Sequence, residues 1–256
     1  MKLIIKSFAW VAFYFIFQFI VQIIFSSISI FFKLTNIENI NNFAINNLLL
    51  LSIISNFLFL IIIMIKYKKI NSQNDKSSLT ISILSCSITL SFSFIFAIIT
   101  ANITFITSSQ IAESFSYYNK ICSNLGFILE FVSLLVIAPI TEEILCRGIL
   151  FNILKQKFSC PISIIISSLI FGLMHILAGG IILAVSATIL GILLCLIYQT
   201  TKSMKLTILA HSVANLPDFL FIGVDKISFG LQLSIIIISM TILCLSLYFF
   251  FKKAKQ

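Results

Sequence analysis

Long apolar runs dominate this chain, and short polar stretches separate them. A helix needs about 20 apolar residues to cross the hydrocarbon core of a bilayer. Eight stretches meet or approach that length, at about 8–32, 48–66, 80–107, 122–139, 160–177, 180–200, 204–223 and 230–251. An amphipathic stretch at about 142–156 follows the fourth. The segments Asn36–Asn47 and Asn71–Ser78 read as loops, and Ala178-Gly179-Gly180 leaves room only for a tight hairpin between the fifth and sixth runs. The first run follows Lys2 and Lys6, as a secretory signal would. It is too long for a signal core of roughly 7–15 residues, and no small-x-small cleavage site follows it. It is expected to be a first transmembrane helix. No internal repeat emerges.

Composition narrows the class. The 256 residues are 60% hydrophobic and 10% charged, which excludes an ordinary soluble domain. The expected fold is all-α: one polytopic membrane domain over 1–256, with about eight transmembrane helices. Within it, 1–121 holds three helices without a motif, 122–223 holds the candidate chemistry, and 224–256 is a last helix with a basic tail. Heavy use of Ile, Phe, Asn and Lys points to an AT-rich, bacterial coding sequence, hence to a bacterial plasma membrane.

The net charge of +9 does not indicate a nucleic-acid partner. The lysines fall in short loops rather than on one polar face, so they report topology. Eight spans put both termini on one side. Lys2, Lys6, Lys66, Lys68, Lys69, Lys76, Arg147, Lys155, Lys157, Lys202, Lys205, Lys252, Lys253 and Lys255 lie on that side, fourteen of the seventeen basic residues. Only Lys33, Lys120 and Lys226 lie opposite. Both termini are therefore expected in the cytoplasm. Six cysteines lie scattered, mostly in apolar runs and without C-x-x-C spacing, and read as small core residues.

Candidate chemistry concentrates after the fourth run. Arg147 is the one arginine in the chain, in Glu142-Glu143-Ile144-Leu145-Cys146-Arg147. Its planar fork can hold a carboxylate by two bonds and does not lose its charge. Glu143 and Arg147 stand i, i+4 with the acid first, the favourable order. Glu142 is about 140° away from Arg147 around an ideal helix. Arg147 should thus hold Glu143 and leave Glu142 free to face the histidines. A helix start near Thr141 would put both carboxylates at the positive end of the dipole. The two histidines of the chain are His175, four residues after Phe171, and His211, four before Asn215. Asp218 follows beyond Pro217 on nearly the same face, and Glu130 sits inside the fourth run without an assigned role. Singly, each feature has an ordinary reading: a hydrogen-bonded core histidine, or an exposed ion pair worth about 0–1 kcal/mol.

Taken in order, Ala138-Pro139-Ile140-Thr141-Glu142-Glu143-Ile144-Leu145-Cys146-Arg147-Gly148, Phe171-x-x-x-His175 and His211-x-x-x-Asn215 resemble the CPBP intramembrane protease family. That family comprises the type II CaaX-prenyl endopeptidases and bacterial proteins labelled Abi or bacteriocin-immunity proteases. The likeness covers about 123–220, and Gly191 and the turn Thr201-Lys202-Ser203-Met204 also look like the family. Lys202 stands where the family often has glycine. The resemblance implies an intramembrane endopeptidase with Glu142, His175, His211 and Asn215 as catalytic residues and Glu143 and Arg147 in support.

Hydrolysis in a membrane needs a water, a base to activate it and donors for the oxyanion. Glu142 suits the base, the histidines can position water and protonate the leaving amine, and the Asn215 amide suits the oxyanion. Zinc is the competing cofactor, with Glu142, His175 and His211 as ligands. The resemblance favours a reaction without metal, and no H-E-x-x-H helix exists. Expected partners are the lipid bilayer and a membrane-associated peptide or protein substrate. Two other functions share these features. One is a non-catalytic membrane partner in immunity or regulation. The other is a proton-relaying transporter, which the lack of repeats disfavours.

Overall fold

The computed structural model describes residues 2–34, 48–67, 75, 77–103, 124–217 and 228–254. Among these residues every regular element is helical. The helices are α1 (Lys2–Leu34), α2 (Leu48–Tyr67), α3 (Leu79–Ile103), α4 (124–154), α5 (Cys160–Met174), α6 (Ile176–Thr201), α7 (Met204–Ala214) and α8 (Phe229–Ala254). Each coincides with one of the apolar runs. Among the described residues three segments are long and apolar enough to cross a membrane: Leu79–Thr100, Gly179–Thr201 and Phe229–Lys253. Broad belts of exposed Ile, Leu and Phe on α1, α2 and α8 are surfaces that water would not tolerate. The chain is an integral membrane protein.

The fourth helix departs most from expectation. A break was expected after 139, with a new helix starting near Thr141. Instead α4 continues from 124 to 154, switching to π geometry over Ser133–Ile137 and again over Ile144–Phe151. Pro139 explains why the helix survives. A proline in a helix interior removes a donor and crowds the preceding turn. Here the turn before it is already widened, with the Ala138 N–H reaching back to Ser133 O. Glu142 and Glu143 consequently lie in mid-helix, too far from a terminus to feel the dipole.

Two other helices are shorter than expected. The fifth stops at Met174 rather than near 177, and α7 stops at Ala214. At 1.5 Å per residue they measure about 22 and about 16 Å, less than a bilayer core. Asp218, the end of the seventh apolar run and the Asn36–Asn47 loop lie outside the described residues.

Helices α5 and α6 form the expected hairpin. The chain turns at Gly179 and Gly180, and Gly180 has φ 66°, a conformation other residues seldom adopt. Close approach lower down requires Gly172. A Cβ there would come within 2.4 Å of the Ala184 carbonyl oxygen and 1.9 Å of Thr188 Oγ1. The main core gathers Phe59 and Ile63 of α2, Leu145, Ile149 and Phe151 of α4, Phe171 of α5, and Cys195 and Tyr198 of α6. A second core joins α3, α6, α7 and α8 through Ile88, Leu194, Leu206, Ala210 and Phe250. The described cysteines are all free thiols.

The turn before α7 fixes the start of that helix. Lys202 adopts the left-handed conformation, φ 57°, at the position where a glycine would fit without strain. Ser203 then caps α7, its Oγ accepting from the Leu206 N–H at 3.3 Å. The same hydroxyl donates to Asp75 Oδ2 at 2.7 Å, tying the segment before α3 to the start of α7.

Candidate active site

Glu143 and Arg147 form the base of the site, and neither side chain is exposed at all. Removing two charges from water is costly unless further bonds satisfy them. Arg147 Nη1 donates to Glu143 Oε1 at 2.6 Å, and Nη2 donates to the carbonyl of Gly191 on α6 at 3.0 Å. The guanidinium also lies 4.5 Å from the centre of the Phe171 ring. The arginine therefore ties α4 to α5 and α6. Lysine could not reproduce this set, because it lacks the planar fork.

Glu143 has a second partner that the sequence did not reveal. His211 Nδ1 lies 2.8 Å from the same Oε1. A carboxylate accepts, so Nδ1 carries the hydrogen, and in the neutral imidazole Nε2 keeps the lone pair. His175 reaches the same state by another route. It caps the end of α5 with its own N–H on Gly172 O, and its Nδ1 lies 2.8 Å from Phe171 O. That carbonyl belongs to the last turn of α5, where backbone acceptors lack helical donors. The imidazole supplies one through its Nδ1–H.

Both Nε2 atoms point to Glu142. Its Oε2 lies 3.7 Å from His175 Nε2 and 3.9 Å from His211 Nε2. These separations exceed a direct hydrogen bond and match groups bridged by one water. Glu142 and His175 are partly exposed, 14% and 23%, whereas His211 is nearly closed off at 4%. Phe171 packs against both imidazoles, its ring centre 4.8 Å from His175 and 5.6 Å from His211.

Asn215 follows the last turn of α7, and its Nδ2 donates to Leu134 O at 2.9 Å. The π turn makes that carbonyl available. The Ala138 N–H bonds Ser133 instead, and Pro139 has no N–H to offer. One Asn215 N–H thus completes the backbone of α4, and its amide retains a second.

Glu142, Glu143, Arg147, His175 and His211 therefore come together in one cluster, and Asn215 is held beside it on the π turn of α4. Among the described residues no three His, Cys, Asp or Glu side chains adopt an arrangement that could hold a metal ion.

Comparison with known proteins bears on the same segment. Residues 124–217 match the family described as "Type II CAAX prenyl endopeptidase Rce1-like". The similarity to that family is confined to these residues. The Rce1-like segment contains all six site residues, and both helices that flank it, α3 and α8, lie outside it. A Bacillus subtilis (strain 168) protein named "Putative membrane peptidase YdiL" is 30% identical over 120 residues. The aligned region is 42% of this chain and 48% of that relative, so the chain spans about half the length of the relative it matches. No solved structure matches.

The α1–α2 wall is where sequence reasoning fell short. Tyr14 on α1 lies near Glu142 and packs against the core that holds Cys146. Its hydroxyl donates to Asn56 Oδ1 at 3.0 Å, Gln18 Nε2 donates to the same oxygen at 3.1 Å, and Ser55 donates to Gln18 Oε1. A tyrosine in an apolar run carries no signal. Gln18 and Asn56, uncharged amides inside two apolar runs, were the readable sign of a buried polar contact.

Proposed function

We propose that the chain is an intramembrane endopeptidase acting on membrane-associated peptides or proteins, with Glu142 as general base. The observation that carries this reading is the convergence of Glu142 Oε2 with the Nε2 atoms of His175 and His211 at 3.7 and 3.9 Å. A water between them donates one hydrogen to Glu142 and the other to an imidazole nitrogen. Glu142 takes one of its protons as the water oxygen attacks the peptide carbonyl. The spare N–H of Asn215 stabilises the resulting oxyanion. The C–N bond then breaks, the proton passes to the leaving nitrogen, and Glu142 returns to the carboxylate.

The two histidines divide the work according to what holds them. His211 has a carboxylate behind its Nδ1–H, which stabilises an imidazolium, so it is the proton carrier. His175 has only a neutral carbonyl there, so it orients the water. The same three atoms are of types that zinc accepts, and a zinc-bound water is the competing chemistry. The proposed topology has eight spans with both termini cytoplasmic, in a bacterial plasma membrane, and substrates enter from the cytoplasmic leaflet.

The test uses wild type and Glu142→Gln in lipid, incubated with a library of membrane-anchored peptides with and without a zinc chelator. New termini are read by mass spectrometry. Cleavage by the wild type alone, unchanged by chelator, is the expected result. Chelator-sensitive cleavage would move the mechanism to a metal site. No cleavage by folded wild type would overturn the enzyme reading in favour of a non-catalytic membrane partner.

A further inference from the structure

A second feature lies away from the Glu142 site, where the start of α3 meets the end of α8. A cavity of about 270 Å³ opens between the two helices, lined by Thr80, Leu84, Phe249, Lys252 and Lys253. Its lining is ordered by depth. Thr80 is in the first turn of α3, and Leu84 lies one turn further in on the same face. Lys252 and Lys253 are in the last turn of α8, and Phe249 lies one turn further in. Both helices therefore present polar groups at the rim and apolar ones about 5–6 Å deeper. Both are also long and apolar enough to cross a membrane, so the rim sits at the membrane–water boundary.

The charge at the rim has an aromatic neighbour, with Lys252 Nζ 5.8 Å from the centre of the Tyr248 ring. Among the described residues, no carboxylate lies within ion-pair distance of either lysine. Asp75, just before α3, is engaged by Ser77 and Ser203. Exposed apolar side chains, Leu79, Ile83 and Leu245, continue along the outside of the same helices.

We propose that this cavity is a binding site for the headgroup of an anionic phospholipid. Lys252, Lys253 and the Thr80 hydroxyl receive the phosphate, and Leu84 and Phe249 receive the glycerol end of the acyl chains. The volume suits a headgroup, with the chains lying along the exposed flanks. A free phosphate ion would have no use for the apolar wall, which is why the lipid is the assigned occupant. The site lies in helices outside the Rce1-like segment and does not depend on catalysis.

Native mass spectrometry of the purified full chain tests this, with added phosphatidylglycerol, phosphatidylcholine or inorganic phosphate. The wild type is expected to retain one phosphatidylglycerol about tenfold more tightly than phosphatidylcholine. Lys252→Gln with Lys253→Gln removes that preference, and the matching double arginine variant keeps it. Leu84→Trp separates a built site from diffuse attraction, because it fills the wall and leaves both lysines in place. It is expected to lose the retained lipid. Retention by Leu84→Trp equal to wild type would overturn the proposal. So would displacement of the lipid by millimolar phosphate, or equal retention of the two lipids by wild type. That last comparison involves no variant and stands even where a variant fails to fold.

Discussion

Helices α4 and α8 are both long and apolar, and they solve opposite problems. The last helix, α8, is regular from end to end, packs on α3, and turns Ile237, Ile238 and Leu245 outward. The fourth changes between α and π geometry four times, and its stretch from Ile144 to Leu150 is buried throughout. The difference follows from what each carries. A regular helix consumes its own backbone acceptors, which suits a surface facing lipid. A π turn spares some of them. The spared Leu134 carbonyl takes Asn215, and Asn152 Nδ2 donates back to the carbonyls of Arg147 and Gly148 at 3.0 Å each. A polar site inside a membrane protein is thus assembled from helix irregularities as much as from side chains.

Substitutions can break that comparison. The largest effect is expected from Glu142→Gln, which should lower peptide cleavage by about 10²–10⁴ with the fold intact, measured in lipid against wild type. Undiminished cleavage would place the chemistry elsewhere. Arg147→Met comes next. It strands the Glu143 carboxylate without its cation in a closed core, and stability should fall by about 3–5 kcal/mol in detergent unfolding. A polar-to-apolar change of Ser234 on the exposed face of α8 should do almost nothing by the same measurement. Asn215→Ala leaves the Leu134 carbonyl without a donor and should cost about 1–3 kcal/mol. A neutral result would show that the π turn finds another partner.

Smaller effects sharpen the picture at the start of α7. Lys202→Gly relieves a left-handed lysine and should raise stability by about 1 kcal/mol, with cleavage unchanged. Asp75 gives the smallest effect. Hydrogen bonds from Ser77 foremost, and then Ser203, hold its carboxyl below its ordinary value of 3.8, against a weaker opposing effect of burial. A lowered carboxyl value stabilises the fold above the unfolded value, and that contribution disappears as pH falls through the folded one. Asp75→Asn should therefore flatten the loss of stability of wild type below about pH 4, read from thermal unfolding across an acid series.

Much of the site was legible because its residues are anomalous where they stand. An arginine in a chain of lysines, two histidines, and carboxylates beside apolar runs all stand out in a composition of Ile, Leu and Phe. The i, i+4 spacing of Glu143 and Arg147 also survives in the π stretch, as the 2.6 Å contact shows. Pairing across long separations was not legible. Nothing in the chain says that His211 sits on Glu143 or that Gly191 receives Arg147, because those contacts depend on how α6 and α7 pack against α4. The continuity of α4 across Pro139 was not legible for a related reason: a widened turn before it, invisible in sequence, lets the helix continue.

The amino-acid sequence by itself determined that this is a helical membrane protein, where its apolar helices lie, and which polar side chains stand out as candidates for its chemistry. Apolar length and residue type suffice for that, since lipid admits few ways to satisfy a backbone and few reasons to keep a charge. Tertiary structure alone decided that α4 runs unbroken, that His211 leans on Glu143 while His175 leans on a carbonyl, and that Tyr14 of α1 approaches Glu142. Those outcomes depend on which backbone acceptors remain free after the helices pack, and helix packing is a property of the whole chain.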